Sequence, residues 1–142
     1  MDASAAAIPV GYLVKRLQAL VHDRLTEALA PHDLSLSKYA VLVAIDEKPG
    51  LSNAELARRT FVVPQTTHRV VQDLEHDGLV ERRAHPTHGR VLQAQLTDAG
   101  HRKLADVAPS VDAVEQRMLT GMSPRAVEEL RRGLQSCITQ LE

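Results

Sequence analysis

The chain has 142 residues, a net charge near −1 with its histidines neutral, one cysteine, and only three aromatic side chains, two Tyr and one Phe. A chain of this length can bury a core without disulfides or a metal, one cysteine allows no internal disulfide, and so few aromatic rings argue against recognition of single strands by base stacking. The opening MDASAAAIPVGYLVKRL interrupts its apolar run with Lys15 and Arg16, and no apolar run approaches the ~20 residues that cross a bilayer; no secretory leader or membrane span is expected, and a reducing cytoplasm suits the lone cysteine.

From Ile8 to Leu29, apolar residues recur at Leu13, Leu17, Leu20, Val21 and Ala28, the spacing of one helical face. Pro31 ends this first helix. Ser35 and Ser37 are candidate caps for a second, whose apolar set is Tyr39, Leu42, Val43 and Ile45, and Pro49-Gly50 stops it. Ser52 then opens a third, short helix that runs to about Thr60. Ser52 and Glu55 stand in the S-x-x-E relation of a capping box, and Leu51 and Leu56 occupy the two positions of a hydrophobic staple.

A fourth helix follows almost at once. Pro64 suits the first helical position, and Thr67, Val70, Val71 and Leu74 share one face. The opposite face carries Gln65, Thr66, His68, Arg69, Gln72 and Asp73, and Asp77-Gly78 supplies a left-handed stop. Beyond it the pattern turns extended. Residues 79–84 and 90–96 are strand candidates joined by HPTHG at 85–89. Two helices set this tightly, then a hairpin, predict a winged helix-turn-helix in which the third helix props the fourth and the fourth presents its polar face for reading. Thr97 caps a long fifth helix through Leu104, Val107, Val111, Val114 and Met118, with Pro109 inside it. Ser123-Pro124 opens a sixth, with a stripe of Val127, Leu130, Leu134, Cys137, Ile138 and Leu141. The first and last helices carry more apolar surface than a winged unit alone requires.

The segments LSLSKYAVLVAI, LSNAELARR, THRVVQDLEHDGLVERR and GRVLQAQLTDAG, in that order and without insertion, resemble the MarR family of bacterial winged helix-turn-helix transcription regulators. The resemblance covers nearly the whole chain. It implies a mainly α fold with a small β-hairpin wing, one domain over 1–142, with dimerisation helices at about 8–30 and 97–142 around a winged unit at about 36–96. It also implies a homodimer, whose twofold symmetry suits an inverted-repeat operator on double-stranded DNA. Two positions depart from the family pattern. His88 stands where an acid usually holds the wing arginine, and Val63 stands where a capping side chain is common.

On this reading the fourth helix lies in the major groove. Gln65 can pair with adenine, Arg69 can fork onto guanine, and Thr66 and His68 can meet bases or phosphates. Arg90 at the wing enters the minor groove, where narrow A·T-rich stretches concentrate negative potential. Ser52 and Asn53 can offer backbone amides to a phosphate at a helix N-terminus. Arg82 and Arg83 alternate faces on one strand, so one meets DNA or an acid of its own domain; Arg83 is the DNA-side candidate. Between Ser52 and Leu96 six arginines face five acids, so a nucleic-acid surface must come from geometry rather than bulk charge. Many members of the family answer to a small phenolic or other aromatic effector between the dimerisation helices and the winged unit. By position, Tyr12, His22, Arg24 and Tyr39 are the candidates to line that cleft.

Competing readings are weaker. His85 and His88 form H-x-x-H, but Pro86 between them spoils ligand geometry and no cysteine or acid joins them, so no metal or other cofactor is expected. Cys137 lies on an apolar stripe without a basic neighbour in sequence, which predicts a buried core cysteine rather than a redox switch. No nucleophile motif, glycine-rich phosphate loop or paired carboxylates suggest an enzyme. The near-neutral charge keeps one alternative open, a winged-helix module that binds protein and not DNA.

Overall fold

The computed structural model describes residues 7–60, 62–87, 89 and 92–142, with the backbone alone for Leu92. The elements are α1 (Val10–Leu29), a 3-10 turn (Ala30–His32), α2 (Leu36–Glu47), α3 (Asn53–Thr60), α4 (Pro64–His76), β1 (Val80–Ala84), β2 (Leu92–Leu96), α5 (Asp98–Met118) and α6 (Pro124–Leu141). The order helix, helix, hairpin, then two long helices is the one expected from the sequence. His88, Arg90 and Val91 lie outside the described residues, so the second strand is seen from Leu92 onward.

Side-chain caps account for most of the helix starts. Ser35 accepts a hydrogen bond from the Lys38 amide, and Ser123 from the Ala126 amide. The capping box of α3 is reciprocal: the Ser52 amide donates to Glu55 Oε2 at 2.9 Å, and the Glu55 amide donates to Ser52 Oγ at 3.3 Å. Leu51 and Leu56 are both buried beside it, as a staple requires. At α4 the cap position is Val63, without a side-chain bond. Pro64 lowers the cost by having no amide hydrogen to satisfy, and the Thr67 amide bonds back to the Val63 carbonyl at 3.0 Å.

The core is the winged unit. Val41, Leu42 and Ile45 of α2, Leu56 of α3, Val71 and Leu74 of α4, and Leu79, Val80 and Ala94 of the hairpin close on one another, with Leu29 and Val107 entering from the two long flanking helices. Full burial of each such aliphatic side chain stabilises by roughly 1.5–3 kcal/mol. Thr67 is the one buried polar side chain among the described residues, and its hydroxyl donates to the Val63 carbonyl at 3.2 Å. The strands pair antiparallel, with Val80 opposite Leu96 and Arg82 opposite Ala94. The Gly50 amide donates to the Ala94 carbonyl at 3.0 Å, so the loop before α3 borders β2 as well.

Helix α4 ends in a Schellman turn. Gly78 takes φ +74°, its amide reaches the Glu75 carbonyl, and the Leu79 amide reaches the Leu74 carbonyl. This use of Leu79 as the closing residue is why β1 starts at Val80 rather than at 79. The start of α5 then locks onto the same turn. Thr97 Oγ1 donates to the Gly78 carbonyl at 2.6 Å and accepts from the Gly100 amide at 3.1 Å, while the Thr97 amide donates to the Leu79 carbonyl at 3.1 Å. A Cβ on Gly100 would stand 2.2 Å from the Leu79 carbonyl oxygen, so only glycine permits this approach.

The long helices are different. Helix α1 buries only Leu29, leaving Val10, Tyr12, Leu13, Val14, Leu17 and Leu20 exposed. Helix α6 buries no residue and makes only marginal contact with the rest of its protomer. Cys137 is therefore exposed in the protomer, and the expectation of a buried core cysteine is corrected. Its apolar stripe was recognised, but the stripe has no partner within the same chain. No described helix is long and apolar enough to cross a membrane.

The hydrogen bonds from Ser52 hold the Glu55 carboxyl below its ordinary pKa, the backbone amide contributing most. A depressed carboxylate pKa means that this capping contribution is complete above the ordinary glutamate value and is lost as pH falls through the lowered folded value. Ser52→Ala is expected to cost about 1 kcal/mol in urea unfolding at neutral pH. Glu55→Gln should flatten the acid limb of stability against pH; an unchanged limb would contradict the assignment.

Candidate nucleic-acid interface

Helix α4 is divided cleanly by its packing. Thr67, Val70, Val71 and Leu74 face the core, and Gln65, His68, Arg69, Gln72 and Asp73 are exposed on the other side, with Thr66 half-buried at the margin. The first turn of α4 carries no acid, so its positive helix end is not neutralised. Arg69 makes no ion pair or side-chain hydrogen bond among the described residues, which leaves its guanidinium free to fork onto a planar acceptor.

One of the expected contacts changes. The Ser52 amide is committed to Glu55, so the expectation that it would serve a phosphate is corrected: the reciprocal cap uses it. Asn53, expected to offer its backbone amide, also joins α3 to α4 through its side chain, with Nδ2 2.9 Å from Nδ1 of His68. Nothing in the local sequence announces that bond, because the partners lie fifteen residues apart. Folding resolves the alternation of Arg82 and Arg83. Arg82 turns back onto Glu75 of α4 as a largely buried ion pair, its side chain 19% exposed, whereas Arg83 is 64% exposed and pairs only with Glu81 on its own strand at 2.6 Å. Arg83 is thus the member of the pair on the open side of the wing. Arg90 lies outside the described residues.

Tyr12, His22, Arg24 and Tyr39 do not share one cavity in the protomer. Arg24 lines a groove of about 660 Å³ between α1 and α5, with Leu17, Leu20, Val21, Val114 and Met118 as floor and Arg117 across from it. Its guanidinium is held by Glu27 at 2.8 Å. His22 lines a second groove of about 340 Å³, beside Leu36 and Leu134. Tyr39 lines a third of about 320 Å³ between α2 and α3, and burial, then the Asp112 charge, raises its phenol pKa. Tyr12 lines none of these three. Arg117 was not among the sequence candidates; it sits in the last turn of a long helix, and only the packing of α5 on α1 brings it to the groove. Among the described residues no three His, Cys, Asp or Glu side chains gather as a metal site would require.

A short propping helix, an exposed polar second helix and a hairpin wing define a winged helix-turn-helix protein. Residues 32–91 match the profile of the MarR family. Over 127 residues the chain is 35% identical to the HTH-type transcriptional repressor Rv2887 of Mycobacterium tuberculosis, covering 89% of this chain and 91% of that protein. The crystal structure of that MarR family protein with DNA superposes with a TM-score of 0.76 at 33% identity, over 92% of this chain and 98% of that one; its complex with salicylic acid gives 0.77 at 34%, over 94% and 98%. CouR from Rhodococcus jostii RHA1, bound to p-coumaroyl-CoA, gives 0.82 at 29% identity, over 95% of both chains. The chain belongs to the MarR family of winged helix-turn-helix transcription regulators.

The two wing arginines should separate by measurement. Arg82→Ala strands Glu75 and should cost about 1–2 kcal/mol of stability. Arg83→Ala removes an exposed pair worth under ~1 kcal/mol and should leave the melting midpoint near wild type while weakening binding to duplex DNA. Equal stability losses, or a binding loss confined to Arg82→Ala, would reverse the assignment.

Proposed function

We propose that the protein is a sequence-specific regulator of transcription, a repressor that binds an inverted-repeat operator on double-stranded DNA as a homodimer and is released by a small aromatic or phenolic effector. The observation that carries this reading is the division of α4. Its apolar side is anchored in the core while Gln65, His68 and Arg69 stand exposed along one edge, at the scale of a helix that enters the major groove. Asn53 at the start of α3, bonded to His68, and Thr66 beside Gln65 border the same surface. Arg83 on the wing extends it toward the flanking groove, and Arg90, outside the described residues, is assigned to the minor groove from the sequence alone. The domain division follows: residues 36–96 read, and residues 8–30 and 97–142 join two copies. The protein works on chromosomal DNA, in the cytoplasm.

Dimerisation is supported by the exposed apolar faces of α1 and α6, among them Val10 at 69% and Ile138 at 50% exposure. Surfaces this large and apolar mark an interface. The effector reading is supported by the groove between α1 and α5, whose apolar floor suits an aromatic ring and whose Arg117, with Arg24 held by Glu27, leaves a cation for an anionic group. Among relatives, Rv2887 is seen with salicylic acid and CouR with p-coumaroyl-CoA. Arg24 contributes directly to that groove; Tyr12, His22 and Tyr39 would join an effector site only by bordering a space completed by the second copy.

Removing α6 from Val127 onward takes away the stripe Val127, Leu130, Leu134, Ile138 and Leu141. Sedimentation should then report a monomer where the full chain is a dimer; a truncated chain that stays dimeric would assign the interface elsewhere.

The two reading helices of a twofold dimer must face the same side of the duplex, so half-site centres are expected about one helical turn apart, ~10–10.5 base pairs. Inserting five base pairs turns one half-site about half a revolution away. Gel-shift affinity should fall toward that of a single half-site. Undiminished binding to the expanded operator would reject a rigid twofold reader. The near-neutral charge also predicts a modest dependence of affinity on salt, because few phosphates can be neutralised per subunit.

A further inference from the structure

We propose that Asn53 is a positioning residue for base reading: its amide holds His68 in the tautomer protonated on Nε2, so that the reading helix presents a hydrogen-bond donor, and not an acceptor, to the base opposite it. This rests on α4 being the DNA-reading helix.

The geometry is simple. Asn53 is the first residue of α3, and its Nδ2 lies 2.9 Å from Nδ1 of His68 on α4. A side-chain amide nitrogen can only donate. A neutral imidazole that accepts at Nδ1 must carry its proton on Nε2. The ring is exposed on the reading face, and Nε2 has no hydrogen-bond partner among the described residues. One nitrogen is therefore committed inside the protein, and the other, with its proton, is free for DNA.

That polarity is a specificity device. In the major groove guanine offers N7 and O6 as acceptors, whereas cytosine offers only the N4 amino donor. An Nε2–H donor favours guanine and opposes cytosine on the contacted strand. A ring with its proton on Nδ1 would present a bare Nε2 acceptor and reverse the preference. The bond also ties the propping helix to the reading helix across the exposed side, so the ring is oriented before it meets DNA and loses less freedom on binding.

Asn53→Asp inverts the bond. A carboxylate only accepts, so the neutral ring must donate from Nδ1 and expose an unprotonated Nε2. An acid in the first turn of a helix is favourable, so this variant keeps its fold, and Asn53→Ala provides a second variant without either polarity. The operator is first selected from a random duplex pool, and each half-site position is then varied. Binding is measured at pH ~8.5, well above the ordinary imidazole pKa of about 6.5. Nitrogen NMR of the His68 ring, taken on the free protein, reports the tautomer independently of DNA.

Wild type should show Nε2–H and, at one position, prefer guanine to cytosine by about 3- to 10-fold, the size of one neutral hydrogen bond. Asn53→Asp should show Nδ1–H and invert that preference. Asn53→Ala should reduce it toward parity, and His68→Ala should abolish it. If Asn53→Asp keeps the wild-type tautomer and preference, Asn53 does not position the ring. If His68→Ala weakens all duplexes alike, His68 serves a phosphate and the base-reading inference is overturned. If wild type binds no duplex, the DNA-reading role of α4 fails with it, an outcome told apart from the others because the ring tautomer is still read in the free protein.

Discussion

The architecture turns on one junction, where the start of α5 is bound to the turn that ends α4. Thr97 donates to the Gly78 carbonyl and its amide reaches the Leu79 carbonyl, while Gly100 lets the helix come within bonding range of that backbone. The end of the reading helix, the base of the wing and the long fifth helix therefore meet at two consecutive peptide groups. Lys38 of α2 adds an ion pair to Asp77 at 2.9 Å, and Lys103 of α5 reaches the His32 carbonyl at 2.9 Å. These bonds tie α2 to the end of α4 and α5 to the turn after α1.

The reading surface itself is organised by specific contacts more than by bulk charge. The six arginines of the central segment are not equivalent. Arg82 is used internally against Glu75, and Arg83 is drawn partly toward Glu81, whereas Arg58, Arg59 and Arg69 form no ion pair among the described residues. A net charge near −1 makes the alignment of the reading helix with the groove matter more. The capping box at Ser52 and the Asn53–His68 bond align it from α3, and the Arg82–Glu75 pair aligns it from β1. A protein of near-zero net charge can in this way read a duplex with little nonspecific electrostatic binding, which sharpens the contrast between operator and other DNA.

The long helices obey a different constraint. A helix that buries only its last residue in its own protomer, as α1 does with Leu29, gains little from tertiary packing, and α6 gains less. Long helices with apolar faces persist when those faces are covered. Their apolar residues lie on one side, while the opposite side of α6 is laced by Arg131 and Arg132 with Glu128 and by Arg125 with Glu129. In the protomer a folded winged unit thus carries two long helices whose apolar faces it does not cover.

Much of this was legible in the sequence, because it is local. Periodicity located all six helices; S-x-x-E, Asp77-Gly78 and Thr97-x-x-Gly100 marked boundaries that hydrogen bonds within a few residues determine, and the apolar set of α4 named its buried side. What the sequence did not decide involves partners distant along the chain. Whether Arg82 or Arg83 turns inward depends on where Glu75 lies once α4 packs on β1. That Asn53 meets His68, and that Ser52 has no amide to spare, depends on the crossing of α3 and α4. Cys137 looked like a core residue because its stripe is apolar, but a stripe records that a face is to be covered, not by which chain. Of the four effector candidates, chosen by position, Arg24, His22 and Tyr39 line separate grooves and Tyr12 lines none of them, because residues of α1 diverge around its axis and Tyr39 stands on α2. Local chemistry therefore determined the elements and their order, while only tertiary packing decided which polar groups are consumed inside the fold and which remain for DNA.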